Sequence, residues 1–560
     1  MKNSYNDNYF FIYLINRKCD IIYIINYKNE RDIMSQNKKL FYVTTPIYYP
    51  SAQLHIGHAY TTTLADILNR YKKLDGYETF FLTGSDEHGE KIEKKAKEAG
   101  VTPFEFTTII VNNFKLLWNK LGIEYSKFIR TTDQAHEQGV QKIFSKLYHK
   151  GDIYLGEYEG LYCVSCEEFL TELQLDKITQ QCLVCGNKPN KVKEETYFFK
   201  VSKYSQFLIN YYNAHPTFIE PEARKNEMLN NFILPGLTDL SVTRTTFSWG
   251  IKTLENNKHI IYVWIDALSN YLTALGYLSE DETLFNKFWN NTNVEILQLL
   301  GKEIARFHTI YWPSMLESLG LRQPNKLLSH GWILFKDTKM SKSIGNVVDP
   351  LYLIDQYGRD VLRFYLGYEI PTNHDGKFSY EMFLESYNTH IVNNIGNLVS
   401  RVSNMISKYF NGELLSQGTL KNDLIDSCLL AIKNYQIVMN NYQIAKALSI
   451  VLELCNKANK YIEESKPWEL EKNQETTQLH TTLATLAYVI IVSAFLLQPV
   501  LIDHAQKIAD YFNIDLQNLT FSTILSQEMI YNKRIEKKAN LFERLNVEQE
   551  LKRIEAELNQ

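Results

Sequence analysis

The sequence has few cysteines for its length and no long run of apolar residues. Seven cysteines in 560 residues are too few for a disulfide framework. Four of the seven form two tight pairs, which favours a reducing compartment, and we expect the cytoplasm. The longest nearly uncharged apolar run, residues 483–497, covers about 15 residues, which is short for a bilayer and predicts a buried core helix. We therefore expect no membrane partner.

The chain also lacks an excess of charge of either sign. The 60 Lys and Arg residues stand against 64 Asp and Glu residues, which leaves a formal charge of −4. Nucleic acid would therefore have to bind at local basic patches. The hydrophobic fraction of 45% is close to the globular average and excludes disorder as the dominant state. At about 150 residues per domain, the length predicts three to four domains.

Two strand–helix–strand patterns are present, far apart in the chain. The first combines a β-rich run at 39–44, helical spacing at 60–73 and a buried strand at 79–83. The second covers 294–329. Together they predict an α/β fold with a doubly wound, parallel, Rossmann-type sheet that is split by an insertion. From residue 386 onward, helical periodicity predicts an all-α bundle.

These patterns predict seven segments. The first, residues 1–37, shows no signal-peptide cleavage site; it is either an upstream extension or a transit-like leader, and we favour a dispensable extension. The others are the first half of the sheet domain (38–117), an insertion with a zinc knuckle (118–235), the second half of the sheet domain (236–330), a lysine-loop and linker region (331–385), a helical domain (386–530) and a charged C-terminal helix (531–560).

The two cysteine pairs have the spacing of a zinc site. Cys163 and Cys166 form one CxxC pair, Cys182 and Cys185 form the second, and 15 residues separate the pairs. This spacing predicts one tetrahedral Cys₄ site, which is structural because four thiolates leave no open position. The alternative is four reduced cysteines without metal. The other cysteines have no partner in the sequence, and we expect them to be inert.

Two short motifs point to phosphate chemistry. His55-Ile56-Gly57-His58 lies between the first strand and the first helix, where a helix N-terminus favours phosphate. Lys339-Met340-Ser341-Lys342-Ser343 follows the last sheet element, and its lysines could stabilise the charge on a leaving pyrophosphate. Alone, each has a plainer interpretation, as turn histidines without a ligand or as a solvated basic loop.

Together, in this order, the two motifs resemble the signature of class I aminoacyl-tRNA synthetases, in which both flank ATP. Further segments resemble those of the methionyl-tRNA synthetase family, and the resemblance covers about residues 38–530. These segments are residues 45–49, 86–89, 262–267, 301–303, 306–308 and 311–313. Position 268 is Leu where some relatives carry Pro, and Glu303 stands where some carry Asp. Both departures leave the reaction assignment intact.

The resemblance implies a role for each matching residue. The catalytic residues are His55, His58, Lys339 and Lys342; the ATP-binding residues are Gly57, Gly301, Glu303, Ser341 and Lys342. The residues that line or support the methionine pocket are Ile47, Tyr49, Trp264, Ala267, Tyr271, Phe307, His308 and Trp312, with Asp86 holding the amino group. A thioether suits aromatic neighbours, and Tyr271 and His308 could offer it polar hydrogens. Arg244 either supports the active site or is a plain surface arginine.

In the helical domain, Asn393, Asn397 and Arg401 are spaced four residues apart and share one helical face. Amide and guanidinium groups suit unstacked base edges, and Trp468 offers an aromatic face on which a base could stack. The resemblance implies that these residues read the CAU anticodon. The alternative for the polar stripe is a solvated face.

The implied reaction is activation of L-methionine with ATP, followed by transfer of methionine to the 3′-terminal adenosine of tRNA(Met) for protein synthesis. Mg²⁺ would accompany ATP, one structural Zn²⁺ would bind per chain, and a monomer is expected. Two other interpretations stay open. A synthetase for Val, Ile, Leu or Cys would usually carry a long editing insertion or a zinc that contacts substrate. A non-catalytic tRNA-binding paralogue would have no reason to keep both motifs.

Overall fold

The computed structural model describes residues 38–163, 168–170, 175–183, 185–335, 338–339, 347–416, 419–535 and 541–558. The predicted N-terminal extension lies outside the described residues. The strands are β1 Leu40–Tyr48, β2 Glu78–Ser85, β3 Lys127–Arg130, β4 Ile153–Cys163, β5 Glu168–Leu170, β6 Asn190–Phe199, β7 Ile219–Glu220, β8 Leu240–Ser241, β9 Thr243–Arg244, β10 Ile260–Ile261, β11 Val294–Gly301, β12 Lys326–His330, β13 Ile333–Phe335, β14 Thr338–Lys339 and β15 Gly376–Phe378.

The α-helices of the amino-terminal part are α1 Ile56–Leu74, α2 Glu90–Ala99, α3 Pro103–Leu121, α4 Gln134–His149, α5 Ser205–Ala214, α6 Glu222–Met228, α7 Val263–Thr273, α8 Thr283–Phe288 and α9 Trp312–Leu319. Those that follow are α10 Pro350–Tyr357, α11 Arg359–Tyr368, α12 Tyr380–Ser386, α13 Asn397–Tyr409, α14 Asp423–Asn440, α15 Ile444–Ser465, α16 Pro467–Lys472, α17 Thr476–Leu497, α18 His504–Asp510 and α19 Val547–Leu558.

A six-stranded sheet forms the centre of the amino-terminal part, and its strand order is β3-β2-β1-β11-β12-β7. Every pair of neighbours is parallel. This confirms the predicted doubly wound sheet that an insertion splits. Strand β1 lies between β2 and β11, so the strand order reverses there and ligands are expected at the carboxyl ends of these strands.

Helix α1 begins earlier than its apolar spacing predicts, at Ile56, because the histidine motif itself caps it. The His55 side chain accepts a hydrogen bond from a backbone N–H of the first turn, and His58 accepts one from the His55 backbone. The helix ends before Gly76, whose φ of +86° suits glycine. The predicted helix at 304–319 is present as a π-helical turn at Phe307–Tyr311 followed by α9.

A separate antiparallel sheet has the order β5-β4-β6-β8. Its bounds differ from the predicted insertion 118–235, because β3 and β7 pair with the central sheet and β8 lies beyond residue 235. Strands β4 and β6 pair over their whole length, from Ile153 opposite Phe199 to Tyr162 opposite Asn190. Their long ladder carries the first described cysteine, Cys163, to the far end of β4. The described motif cysteines, Cys163, Cys182 and Cys185, therefore lie away from the central sheet in the fold.

The carboxyl-terminal part is helical, as its periodicity predicts. Helix α17 is buried along most of its length and forms the predicted core helix. By length and composition it could cross a membrane, with a mean hydropathy of 1.9, but 94% of its apolar window is buried inside the protein. Among the described residues it is the one helix that passes this test.

The predicted helix over 531–560 is wrong in extent, because α19 begins only at Val547. The preceding segment bonds to another part of the chain instead of to itself. The backbone N–H of Asn532 donates to the Leu414 carbonyl at 2.9 Å, and that of Ile535 donates to the Gly412 carbonyl at 2.7 Å. These bonds use backbone N–H groups that a helix would need for its own hydrogen bonds.

A buried ion pair joins α1 to the helical part. Arg363 of α11 and Asp66 of α1 have fully buried side chains, and Arg363 Nη2 lies 2.7 Å from Asp66 Oδ2. Arg363 also donates to the carbonyls of Pro499 and Val500, just beyond α17, at 2.8 and 3.0 Å. One guanidinium therefore connects the helix that carries the histidine motif to the helical core.

Replacing Arg363 with Met should lower the free energy of unfolding by about 3–5 kcal/mol, because it leaves the Asp66 charge and two carbonyls buried without this donor. Arg359→Met is the matched control: its bonds to Asp503 are half-exposed, and loss of a surface ion pair costs about 0–1 kcal/mol. Equal denaturant midpoints for the two variants would contradict the role assigned to Arg363.

Candidate active site

A cavity of about 400 Å³ opens at the carboxyl ends of β1, β2, β11 and β12. Most of the predicted catalytic, ATP-binding and methionine-binding residues line it together: Ile47, Tyr49, His55, Gly57, His58, Asp86, Trp264, Ala267, Tyr271, Gly301, Glu303 and His308. Lys339 is described only as part of a strand, and Ser341 and Lys342 lie outside the described residues. The volume suits a small-molecule site.

The two motif histidines lie at the N-terminus of α1, and backbone N–H groups of the same motif orient their rings. Nδ1 of His55 accepts from the Gly57 N–H at 3.1 Å, and Nδ1 of His58 accepts from the His55 N–H at 3.1 Å. Each neutral ring therefore carries its hydrogen on Nε2. That tautomer, beside a helix N-terminus, can donate to phosphate oxygens.

Aromatic rings form one end of the cavity. Trp264 lines it and stacks on Phe307, with ring centroids 3.6 Å apart and planes 5° apart. Phe307 is not a lining residue, nor is Trp312, which is fully buried and donates from Nε1 to Gln298 at 3.0 Å. These two predicted pocket residues therefore support the wall from behind.

Tyr271 and His308 form a neutral pair in the same wall. His308 Nδ1 lies 3.1 Å from the Ile304 carbonyl and must donate to it, so Nε2 accepts from the Tyr271 hydroxyl at 2.7 Å. Burial lowers the pKa of His308 to about 4, and the ring is uncharged at neutral pH. Both polar hydrogens are thus already used, which corrects the expectation that the pair offers them to a thioether.

Glu303 belongs to a charged network at the other end of the cavity. Its Oε2 accepts from Trp332 Nε1 at 2.9 Å. Lys302 Nζ lies 3.9 Å from the centre of the Trp332 ring and 2.7 Å from Asp375 Oδ1. The Asp375 carboxylate also accepts the backbone N–H of Trp332 at 2.9 Å. This network ties the end of β11 to the start of β13, the strand before the lysine motif.

Several lining residues were missed by the sequence reasoning. They include Tyr48, Tyr60, Thr61, Lys91, Asn270, His330 and Trp332. His330 Nε2 lies 2.6 Å from the Thr61 hydroxyl and His330 is almost fully buried. Its position at the end of the predicted strand 326–329 was the available signal, because ligands bind where parallel strands end.

Arg244 is buried, which excludes the interpretation that it is a plain surface arginine. It is 2% exposed, and its guanidinium lies 4.5 Å from the centre of the Tyr262 ring. It also donates to the Ser241 hydroxyl at 2.9 Å and the Thr243 carbonyl at 2.7 Å. Tyr262 precedes α7, so Arg244 supports the helix that forms one wall of the cavity.

Three of the four motif cysteines come together in the insertion. The sulfur atoms of Cys163, Cys182 and Cys185 all lie within 4.8 Å of one another, and those of Cys163 and Cys185 are 3.4 Å apart. None of the three forms a disulfide bond. Cys166 lies outside the described residues. The cluster has the donor set and spacing to hold a metal ion.

A shallow groove on the helical part collects the predicted polar stripe. Asn393, Asn397 and Arg401 line it, and Arg401 Nη2 lies 2.7 Å from Glu463 Oε1. Trp468 does not line this groove, but its side chain is 41% exposed, as expected for a stacking surface. The stripe is therefore a concave surface with amide and guanidinium groups.

Comparison with known proteins agrees with this geometry. A family model described as tRNA synthetases class I (M) matches residues 41–180 and 173–403, and one described as the anticodon binding domain of methionyl tRNA ligase matches residues 413–554. Methionine–tRNA ligase from Ureaplasma parvum is 48% identical over 92% of this chain and 99% of its own length. That from Clostridium tetani is 47% identical over 92% of this chain and 80% of its own length.

Solved structures agree as well. Methionyl-tRNA synthetase from Mycobacterium tuberculosis bound by methionyl-adenylate superimposes with a TM-score of 0.85 at 34% identity, covering 90% of this chain and 100% of that chain. Its free form gives a TM-score of 0.79 at 31% identity, covering 91% of this chain and 99% of that chain.

The parallel sheet, with the histidine motif at the end of its first strand, defines a class I aminoacyl-tRNA synthetase. The chain belongs to the methionyl-tRNA synthetase family.

Proposed function

We propose that the chain activates L-methionine with ATP and transfers it to tRNA(Met), with the cavity at the strand ends as the active site. The observation that carries this proposal is the convergence of aromatic, acidic and histidine groups there. The methionine carboxylate attacks the α-phosphate, a P–O bond forms, and pyrophosphate leaves with the bonding electrons. The 2′-hydroxyl of the terminal adenosine then attacks the methionyl carbonyl, AMP leaves, and the hydroxyl proton is lost.

The chain contributes positioning and electrostatic stabilisation, because the substrate supplies its own nucleophile. His55 and His58 donate to phosphate oxygens from Nε2. Gly57 lets the base approach the backbone, and Gly301 and Glu303 bind the nucleoside. Lys339 and Lys342, with Ser341 between them, stabilise the departing pyrophosphate. Mg²⁺ arrives with ATP and supplies neutralising charge to the phosphates when bound.

The aromatic end of the cavity takes the methionine side chain. Trp264 and Tyr271 offer polarizable faces to the thioether, and Ala267 and Ile47 leave room for a straight chain. The Tyr271 hydroxyl donates to His308 Nε2, and His308 Nδ1 donates to the Ile304 carbonyl, so neither of these two side chains has a hydrogen left for a hydroxyl or carboxylate of a competing substrate. Asp86 and Tyr49 also line the cavity, and Asp86 holds the substrate amino group.

ATP–pyrophosphate exchange measured with each of the twenty amino acids tests the proposed function. Exchange should depend on methionine, and Lys342→Ala should reduce its rate by about 10² to 10³, since a lysine that meets developing charge acts on the transition state. Equal exchange with valine, isoleucine or cysteine, or none with any amino acid, would contradict the assignment.

The knuckle is proposed to hold one structural Zn²⁺ on Cys163, Cys166, Cys182 and Cys185. The sulfur spacing of the three described cysteines supports it, and Gly186, with a φ of +73°, allows the turn after Cys185. Bound zinc would supply local folding energy. Four thiolates leave no open ligand position, so no step of the reaction is assigned to it.

Purified enzyme should contain about one zinc per chain, and Cys163→Ser should lose it, because structural zinc needs its full ligand set. Cys428→Ser is the matched control, since it removes a buried thiol outside the cluster. Metal analysis of both variants makes the comparison. Less than half a zinc per wild-type chain would refute the Cys₄ assignment.

The helical domain, residues 386–530, is proposed to read the anticodon through Asn393, Asn397, Arg401 and Trp468. The groove supports this, since its amide and guanidinium groups suit base edges. We also assign the enzyme to the cytoplasm, in keeping with the absence of disulfide bonds among the described cysteines, and we propose that it acts as a monomer.

Trp468→Ala should raise KM for tRNA by more than about tenfold, because stacking a base on an aromatic ring is worth about 1–3 kcal/mol. ATP–pyrophosphate exchange should stay near wild type, since that reaction uses only the sheet domain and lysine loop. Leu430→Ala, another exposed side chain of the helical part, is the control. A stable Trp468→Ala enzyme with normal tRNA charging would remove Trp468 from the anticodon site.

A further inference from the structure

A buried cluster of one acid and two histidines lies behind the methionine end of the cavity. Asp266 Oδ2 lies 2.6 Å from His88 Nδ1, and Asp266 Oδ1 lies 2.7 Å from His136 Nε2. All three side chains are less than 5% exposed. None of them lines the cavity, and the proposed reaction uses none of them.

The cluster joins three separate parts of the fold. His88 follows Asp86 by two residues in the loop that leaves β2, whereas His136 belongs to α4. Asp266 belongs to α7, between the cavity residues Trp264 and Ala267. The bond from Asp266 to His88 therefore connects the loop that carries the acidic wall of the cavity to the helix that carries its aromatic wall.

His88 is positively charged at neutral pH. Burial alone would lower its pKa, but the charge and hydrogen bond of Asp266 outweigh burial and raise the pKa to about 10. The other acidic groups that face it are Glu137 of α4, whose Oε1 lies 3.7 Å from His88 Nε2, and Asp86 of its own loop. The Asp266 pKa is lowered despite burial, through the two histidines. The bond is thus charge-assisted, and such bonds are short and strong.

The neighbouring residue of the loop is also fixed, but to a different part of the fold. Glu87 accepts two hydrogen bonds from Arg130 of β3, at 2.7 and 2.8 Å, and one from Thr132 at 2.9 Å. The Asp86 backbone N–H donates to the Tyr48 carbonyl at 3.0 Å. Of these anchors, the His88 bond is the one that ties the loop to the helix of the aromatic wall.

We propose that the His88–Asp266 pair is a positioning device that holds the Asp86 carboxylate at a fixed distance from the aromatic wall, so that amino group and thioether are recognised together. The proposal rests on the amino-group role assigned to Asp86. Neither His88 nor Asp266 touches substrate. Loss of the pair should weaken recognition of the methionine amino group and leave ATP binding unchanged, because Glu303 and His55 lie on other elements.

The test compares L-methionine with 4-(methylthio)butanoate, which has the same thioether and carboxylate but no amino group. Dissociation constants for both compounds are measured by calorimetry with the full-length enzyme. In His88→Ala the preference for methionine should fall by about tenfold or more, as expected for loss of a hydrogen bond to a charged group. KM for ATP should not change. His88→Asn, which keeps an N–H near the Nδ1 position, should recover most of the preference.

His504→Ala is the matched control. His504 Nδ1 lies 2.8 Å from Asp360 Oδ2 in the helical part, so this substitution removes a comparable histidine–aspartate bond outside the cavity. It should leave the preference intact. If His88→Ala does not fold, Asp266→Asn gives the same test, since it removes the charge and keeps the shape.

The inference would be overturned if His88→Ala left the preference for methionine unchanged, or if His88→Asn lost as much of that preference as His88→Ala. Asp86→Asn separates this outcome from failure of the underlying role. If Asp86→Asn abolishes the preference and His88→Ala does not, only the positioning device is refuted. If Asp86→Asn itself leaves the preference intact, the amino-group role of Asp86 is refuted and the inference falls with it.

Discussion

The constraint on which the site depends is the common direction of four adjacent strands. Strands β2, β1, β11 and β12 are parallel, so their carboxyl ends meet at one edge of the sheet. This holds although β1 ends at Tyr48 and β11 begins only at Val294. Each end contributes one component of the cavity, such as Asp86 after β2 and His330 on β12. A doubly wound sheet thus gathers distant sequence motifs at one edge through the backbone pairing of its strands.

Charge buried behind the cavity fixes these components relative to one another. Asp266 joins α7 to the loop of Asp86, and Asp66 joins α1 to Arg363 and so to the helical part. A buried charge destabilises the fold unless it is paired, so each pair constrains the relative positions of the two elements that it joins. The helix that begins after His55 is therefore joined by a buried ion pair to the helical part of the chain.

The sequence predicted the parts of the fold in which apolar residues follow a clear pattern along the chain. Strands such as β11 and the core helix α17 agree closely with their apolar patterns, because burial on both faces or all round leaves a continuous apolar run. The site was predicted where a resemblance could be matched residue by residue. His330, Lys91 and Trp332 were missed because a single histidine, lysine or tryptophan carries no period, and only tertiary packing brings it to the cavity. Residues 531–535 were assigned to a helix as part of the stretch 531–558, whose Lys and Glu content favours one, whereas bonds to residues 412–414 override that local preference.

The central claim is that the cavity at the strand ends selects methionine and joins it to the adenylate. The most direct measurement is mass spectrometry of the adenylate that stays bound after the enzyme is incubated without tRNA, with ATP, pyrophosphatase and an equimolar mixture of all twenty amino acids. We expect methionyl-adenylate to be the dominant species in wild type and to be lost in Asp86→Asn. A different aminoacyl-adenylate as the dominant species, or none at all, would contradict the account.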